Sequence, residues 1–411
     1  MGELSKEQFE ERLGSICTRR FGSPIENLKR LSGGASQESW TFVCDGQAYV
    51  LRRNPRGVQT SQNALPKASE AAIISAAAEA GIAVPKISFI CDEDDGIGEA
   101  YVMDFIEGET IARKILRDAE FDAVRPNLAA QCGSMLAALH NIDVSALPDL
   151  PFSDAVGELE KYAGYLKAGD HPFPVFELAI KWLGDNLPEK RAPALVHGDF
   201  RNGNIMVSPR DGLVALLDWE LTHIGDPMED LGWPCVPSWC FGQHDMPVGG
   251  FGARADMYDA YRAAGGEIDE KATRFWEILG TLKWGIMCGV LMVSAFESGA
   301  DPSIERGSIG RRASETEIDL LRMLMGEDRC KINRQPRNFS PPRVPSLTRR
   351  PCRNFQAMLL FMRALPVMFW IYWHANWSWR RASIVPKRHG SNHCSAKAGR
   401  WRRLTESFVT K

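Results

Sequence analysis

The chain has 411 residues, of which 44% are hydrophobic and 25% charged, and its formal net charge is −3. That length can bury a large core in two lobes, and the composition excludes collagen-like, low-complexity and wholly disordered chains. The charge balance conceals a break: Cys330 to Lys411 holds 17 Lys and Arg and one acid, Glu406, leaving 32 basic and 51 acidic residues before it.

Residues 5–20 predict an N-terminal helix, and Asn27 to Leu31 a first strand. Ser32-Gly33-Gly34-Ala35-Ser36-Gln37 reads as a small, flexible loop. Trp40 to Val43 and Ala48 to Arg52 read as two strands joined by a turn at Asp45-Gly46. An Ala-rich helix follows over residues 68–80, then strands at residues 84–90 and 100–105. This is a five-stranded antiparallel lobe with one inserted helix. Glu107-Gly108 makes a hinge, after which helices are expected at 110–118, 126–141, 154–168, 174–186, 253–264, 270–297 and 312–326.

The helical stretch is interrupted at residues 194–218. His197-Gly198-Asp199-Phe200-Arg201-Asn202-Gly203-Asn204 leads into the apolar run Ile205 to Val207. Ser208 to Gly212 carries turn chemistry, and Leu213 to Leu217 is a second apolar run ending at Asp218. A hairpin brings the residue before its first strand beside the residue after its second. Asn204 and Asp218 therefore meet, as two oxygen ligands for a hard cation. Asp199 lies on the loop leading in, placed to accept a proton from an attacking hydroxyl. The spacing H-x-D-x-x-x-x-N, followed by an Asp, is that of the kinase catalytic loop and its metal-binding aspartate.

With these elements in order, the chain resembles the aminoglycoside phosphotransferase family over roughly residues 20–326. The matching segments are Ser32 to Gln37, Tyr49-Val50-Leu51-Arg52, the helix with Glu70, Tyr101 to Gly108, the His197 to Asn204 loop, and Leu217 to Glu220 followed by Gly225 to Leu231. The resemblance implies an α+β, two-lobed, protein-kinase-like fold, with residues 1–106 as nucleotide-binding lobe and 107–329 as catalytic and substrate-binding lobe. It implies ATP and Mg²⁺ as cofactors. Asp199 would be the base, and Asn204 and Asp218 would hold Mg²⁺. The loop with Ser32, Gly33, Gly34 and Ser36 would cover the phosphates with backbone N–H groups. The backbone from Met103 through Phe105 to Ile106 would recognise adenine.

One position departs from the family pattern. The third strand carries Arg52 where the family usually has Lys paired with a helix Glu. Alternation places Val50 and Arg52 on one face, Val50 toward adenine and Arg52 toward phosphate. Glu70 is the expected partner of Arg52, with Glu79 the second choice. His197 reads as a brace for the loop rather than as a base. Arg201 is placed to screen Asp199 or to touch the transferred phosphoryl group. Asp226 and Asp230 read as caps at a turn-to-helix start. No G-x-x-x-x-G-K-[ST] occurs, which disfavours a P-loop NTPase.

The acceptor is less legible. The run from Thr273 to Phe296 is apolar nearly all round and reads as a buried core helix. Trp276-Glu277-Ile278-Leu279-Gly280 and Lys283-Trp284-Gly285 also resemble the kinase-like domain found beside acyl-CoA dehydrogenases, which implies a hydroxylated small molecule such as a hydroxyacyl compound. The alternatives are an aminoglycoside- or choline-type kinase and a nucleotide-binding pseudokinase, the latter disfavoured by intact Asp199, Asn204 and Asp218. The ten Cys show no metal or redox spacing, and Met1 to Glu11 does not read as a signal peptide. Buried free thiols and a cytoplasmic location are therefore expected. Residues 330–411 hold five of the twelve Trp. A nucleic-acid-binding arm is disfavoured by the apolar stretch from Phe355 to Trp379, and a membrane segment by Arg363 and Pro366. Composition favours out-of-frame translation beginning near Glu327, so neither nucleic-acid nor membrane partners are expected.

Overall fold

A computed structural model describes residues 4–31, 37–55, 64–169 and 171–326. The readings placed on Ser32, Gly33, Gly34 and Ser36, and on residues 330–411, lie outside the described residues.

The smaller lobe is built on strand alternation. Strands β1 (Ile25–Arg30), β2 (Glu38–Cys44), β3 (Gln47–Asn54), β4 (Ile87–Ile90) and β5 (Glu99–Asp104) form one antiparallel sheet in the order β1-β2-β3-β5-β4. Trp40, Phe42 and Cys44 of β2 point to one face. Helix α1 (Lys6–Phe21) covers that face, packing Phe9, Leu13, Ile16 and Cys17 with Trp40, Phe42, Tyr49 and Leu51. The helix starts at Ser5, which shares a capping box with Gln8, and stops at Gly22, whose φ of 83° is left-handed. On the opposite face the register pairs Val50 with Met103 and Arg52 with Tyr101. Helix α2 (Lys67–Glu79) packs there through Ala71, Ile74 and Ala77.

The larger lobe begins with α3 (Ala112–Arg117), α4 (Leu128–His140), α5 (Ala155–Ala168) and α6 (Pro174–Asp185). Four short strands follow: β6 (Ala194–Val196), β7 (Ile205–Ser208), β8 (Gly212–Leu216) and β9 (His223–Gly225). Strand β6 pairs with β9, and β7 with β8. Then come α7 (Met228–Gly232), α8 (Arg254–Ala263) and α9 (Glu270–Ile286), which runs through a π-helical turn at Met287–Met292 into α10 (Val293–Glu297). Helices α11 (Ile304–Ser308) and α12 (Ala313–Leu324) end the described chain.

Helix α9 holds the larger lobe together. The stretch Glu270–Glu297 is long and apolar enough, by length and composition, to cross a bilayer. Instead it packs against α5, α6, α7 and α12 and buries Phe275, Trp276, Ile278, Leu279, Leu282 and Ile286. Each such side chain contributes roughly 1.5–3 kcal/mol by leaving water. Helix α7 crosses it closely because residue 232 is glycine; a Cβ there would lie 2.8 Å from the Glu277 nitrogen. All seven cysteines among the described residues are free, and six of them are buried. The result is a two-lobed α+β architecture joined through residues 105–108, just before Glu109 bridges to Val207 of β7.

Candidate active site

The loop from His197 to Asn204 leaves β6 and enters the β7–β8 hairpin. The Leu217 N–H donates to the Asn204 carbonyl at 2.8 Å, so Asn204 and the residue preceding Asp218 face each other across the hairpin mouth. Asp218 follows with φ of 68°, a left-handed conformation that non-glycine residues seldom hold without local support. Gly198 has φ of 79°, and a Cβ there would lie 2.6 Å from the Leu221 carbonyl oxygen, so the turn requires glycine.

His197 is fully buried. Its Nδ1 accepts the Asp199 N–H at 3.2 Å, which leaves the proton on Nε2 to be donated to the Leu217 carbonyl at 3.1 Å. Burial lowers its pKa, so the ring is neutral and both nitrogens are committed to the loop. Asp230 corrects the capping reading. It is fully buried inside α7, and its carboxylate accepts the N–H groups of His197 at 2.7 Å and Gly198 at 3.0 Å. The capping role falls to Asp226, which accepts the Met228 N–H at 3.0 Å and also the Trp276 indole N–H at 3.0 Å. Asp230 braces the loop instead, because β6 lies against the helix that carries it.

The Asp199 carboxylate is held on both oxygens. Its Oδ1 accepts Arg201 Nε at 3.0 Å and Trp233 Nε1 at 2.7 Å, and its Oδ2 accepts Asn204 Nδ2 at 2.6 Å. The Arg201 guanidinium lies 4.7 Å above the Trp239 ring. Sequence reasoning missed Trp233, and only its position after the Gly225 to Leu231 segment could have drawn attention to it.

On the side of the smaller lobe, Arg52 Nη2 donates to Asp218 Oδ1 at 2.8 Å and to Gln37 Oε1 at 2.7 Å. The Gln37 amide passes the contact on to Glu220. Burial would raise the Asp218 pKa, but the Arg52 guanidinium outweighs it and holds the carboxylate below its ordinary value. Glu220 shifts the other way, raised by burial and by the Asp218 charge. Glu70 lies beneath Arg52, with Nε 3.7 Å from Oε1, while Glu79 is exposed. The closer partners of Glu70 were not foreseen: the buried Lys67 ammonium and the Tyr101 hydroxyl, which donates at 2.7 Å.

The adenine-recognition reading needs correction at Phe105. Its N–H is donated to the Ala48 carbonyl at 3.1 Å, and that of Asp104 to Lys86 at 2.9 Å. The sheet ladder thus runs to Phe105, the predicted strand end, and consumes both donors. Ile106 is the first residue past these bonds. Met103 is buried across from Val50, and the Phe105 side chain is exposed.

Asn204 and Asp218 offer one carboxamide and one carboxylate, an oxygen donor set that suits a hard cation. Among the described residues, no three His, Cys, Asp or Glu side chains group as a metal site. A cation here would rely on these two residues and on phosphate oxygens, a mode that suits Mg²⁺.

Behind Trp233 lies a buried ionic cluster. Lys283 Nζ sits 2.7 Å from Glu158 Oε2 and 3.1 Å from Glu229 Oε1, and 5.6 Å from the Trp233 ring centre. Burial alone would raise the Glu158 pKa, but Lys283 overrides it and takes the carboxyl down to about 2. The same two carboxylates hold Lys283 well above its ordinary value against the effect of burial.

A profile described as the phosphotransferase enzyme family matches residues 27–265, more than half the chain. The chain belongs to that family. Curated relatives of this phosphotransferase include acyl-CoA dehydrogenase family member 11 of Gallus gallus, 33% identical over 218 residues, covering 50% of this chain and 27% of the relative. Family member 10 of Mus musculus is 27% identical over 249 residues, covering 57% of this chain and 22% of the relative. The chain thus spans about a quarter of these relatives. Among solved structures, a Ralstonia eutropha protein assigned as an aminoglycoside phosphotransferase superposes with a TM-score of 0.60 at 23% identity, over 76% of this chain and 97% of that one. A spectinomycin phosphotransferase in complex with ADP and spectinomycin gives 0.54 at 12% identity, over 76% and 98%. These likenesses establish the kinase-like fold.

Proposed function

We propose that this phosphotransferase moves the γ-phosphate of ATP, with Mg²⁺, to a hydroxyl of a small molecule, and that the acceptor is a hydroxyacyl compound. One observation carries the reading: Asp199, Asn204 and Asp218 converge at one hairpin mouth, with Arg52 reaching Asp218 at 2.8 Å from the other lobe. Asp199 accepts the proton of the acceptor hydroxyl, and Trp233 and Arg201 fix the carboxylate that receives it. Arg52 turns from Asp218 to the phosphates as the nucleotide enters. Asn204 and Asp218 hold Mg²⁺, which when bound neutralises charge on the phosphate oxygens.

The acceptor class is supported by the acyl-CoA dehydrogenase names of the curated relatives. It is also supported by the Lys283 cluster. The carboxylates of Glu158 and Glu229, which share Lys283 behind Trp233, are neutralised internally and are not available to a cationic amino sugar. The test is transfer of labelled γ-phosphate across hydroxyacyl-CoAs, hydroxy acids, amino sugars and choline. The expected result is a kcat/KM for a hydroxyacyl compound at least about tenfold above that of any amino sugar. A preference for amino sugars or choline would overturn the acceptor assignment.

A further inference from the structure

The strand lysine of kinase-like folds does two jobs: it pairs with a helix glutamate and it faces the nucleotide phosphates. Here Arg52 occupies the strand position, yet it makes a poor partner for Glu70. Its Nε stands 3.7 Å from Glu70 Oε1 and is buried without a hydrogen bond, while Nη2 is committed to Asp218 at 2.8 Å. Glu70 is satisfied from elsewhere. Lys67, one turn earlier in α2, pairs with Oε2, and the Tyr101 hydroxyl donates to Oε1 at 2.7 Å. Lys67 and Glu70 are each fully buried, and lysine is rarely so placed unless it is paired. The register seats Tyr101 directly across from Arg52, so hydroxyl and guanidinium approach Glu70 from the same sheet face.

We propose that the two jobs are divided in this chain: Lys67 is a positioning residue that neutralises Glu70 from within its own helix, and Arg52 alone serves as the phosphate-directed cation. The division follows from reach and charge. A guanidinium drawn fully onto Glu70 could not also extend to Asp218. With Lys67 occupying Glu70, Arg52 stays extended toward the hairpin mouth, held there by Asp218 and Gln37. The segment leading into α2 is tied to the same region, since the Leu65 N–H donates to the Glu220 carbonyl at 3.2 Å. The inference rests on the nucleotide-site reading of the preceding section, and it assigns to Lys67 a task that no contact with the nucleotide would reveal.

The test uses the full chain, with ADP binding by calorimetry and thermal melting as readouts. In Lys67→Met the Glu70 carboxylate, left with the Tyr101 hydroxyl but no cation, captures Arg52, so ADP affinity should fall by about tenfold or more, together with Tm. Adding Glu70→Gln removes the competing charge and should return both Tm and ADP affinity to within about threefold of the parent. Arg52→Met should lose affinity to a similar degree, and Glu70→Gln should not rescue it. If affinity stays low in the Lys67→Met/Glu70→Gln pair, Lys67 touches phosphate itself and the division is wrong. If Lys67→Met lowers Tm but leaves affinity intact, Lys67 is structural only and the proposal is equally overturned. A parent chain that binds no ADP would contradict the nucleotide site as a whole, an outcome distinct from both.

Discussion

Asp199→Asn is expected to lower kcat by roughly 10²- to 10⁴-fold, the range for losing a positioned general base. The substitution keeps shape and keeps a carbonyl oxygen able to accept from Arg201 Nε and Trp233 Nε1. What it removes is the capacity to take a proton. The other side of the group changes as well, because the new amide would confront Asn204 Nδ2, which now donates to Oδ2 at 2.6 Å. That conflict costs about 1 kcal/mol or less if Asn204 turns toward solvent or a cation. Tm should therefore stay close to that of the parent while turnover collapses. Steady-state kinetics and melting on the same preparation separate the two effects. Turnover within about threefold of the parent would remove Asp199 from the reaction.

Lys283→Met should be strongly destabilising. It removes the shared cation of two buried carboxylates, Glu158 and Glu229, 2.7 and 3.1 Å away, and leaves them only Lys161 at 3.2 Å and His223 at 3.3 Å. Breaking a buried pair from one side costs about 3–5 kcal/mol. For a chain of this size that is a Tm loss of about 5 °C. The pH dependence has a definite sign. Glu158 has its pKa depressed from 4.5 to about 2 in the folded protein, so its contribution is present above pH 4.5 and is lost as pH falls toward 2. Lys283 has its pKa raised, so its contribution holds below its ordinary pKa of 10.5 and is lost only at still higher pH. Without Lys283 the Glu158 carboxyl loses the main group that depresses it and keeps only Lys161, so the gap between parent and variant should narrow as pH falls from 4.5 toward 2. Denaturant unfolding at pH 7 and pH 3.5 reads this directly. A gap that is small at neutral pH, or that widens in acid, would contradict the assignment.

The fold was legible where the signals are contiguous. Alternation in Trp40 to Val43 and Tyr49 to Arg52 located β2 and β3 and their faces, and the Ser208 to Gly212 turn located the β7–β8 hairpin. What stayed hidden depends on contacts between distant segments. Asp230 lies 33 residues beyond His197 and looked like an ordinary cap until β6 was seen against α7. Trp233 reaches Asp199 from the end of the same helix, and no local pattern marks an indole as a carboxylate's partner. Lys67 carries no local mark of its own, because lysine near a helix start is usually solvated. Its three-residue spacing from Glu70 was the available clue, and only packing of α2 beneath the sheet makes that pair a buried one. At Phe105 two readings overlap: the residue ends the expected strand, and the ladder to Ala48 therefore occupies its amide within the stretch read as recognising adenine.

The central claim is that Asp199, Asn204 and Asp218 form a cation-dependent site for moving phosphate to a hydroxyl. Phosphorus NMR of the full chain with ATP and a hydroxyacyl acceptor tests it most directly, run with Mg²⁺ and again with excess chelator. A phosphomonoester resonance should grow in step with ADP when Mg²⁺ is present, with neither signal under chelator or in Asp218→Ala. Phosphomonoester formation that continues undiminished with chelator or in Asp218→Ala would contradict it.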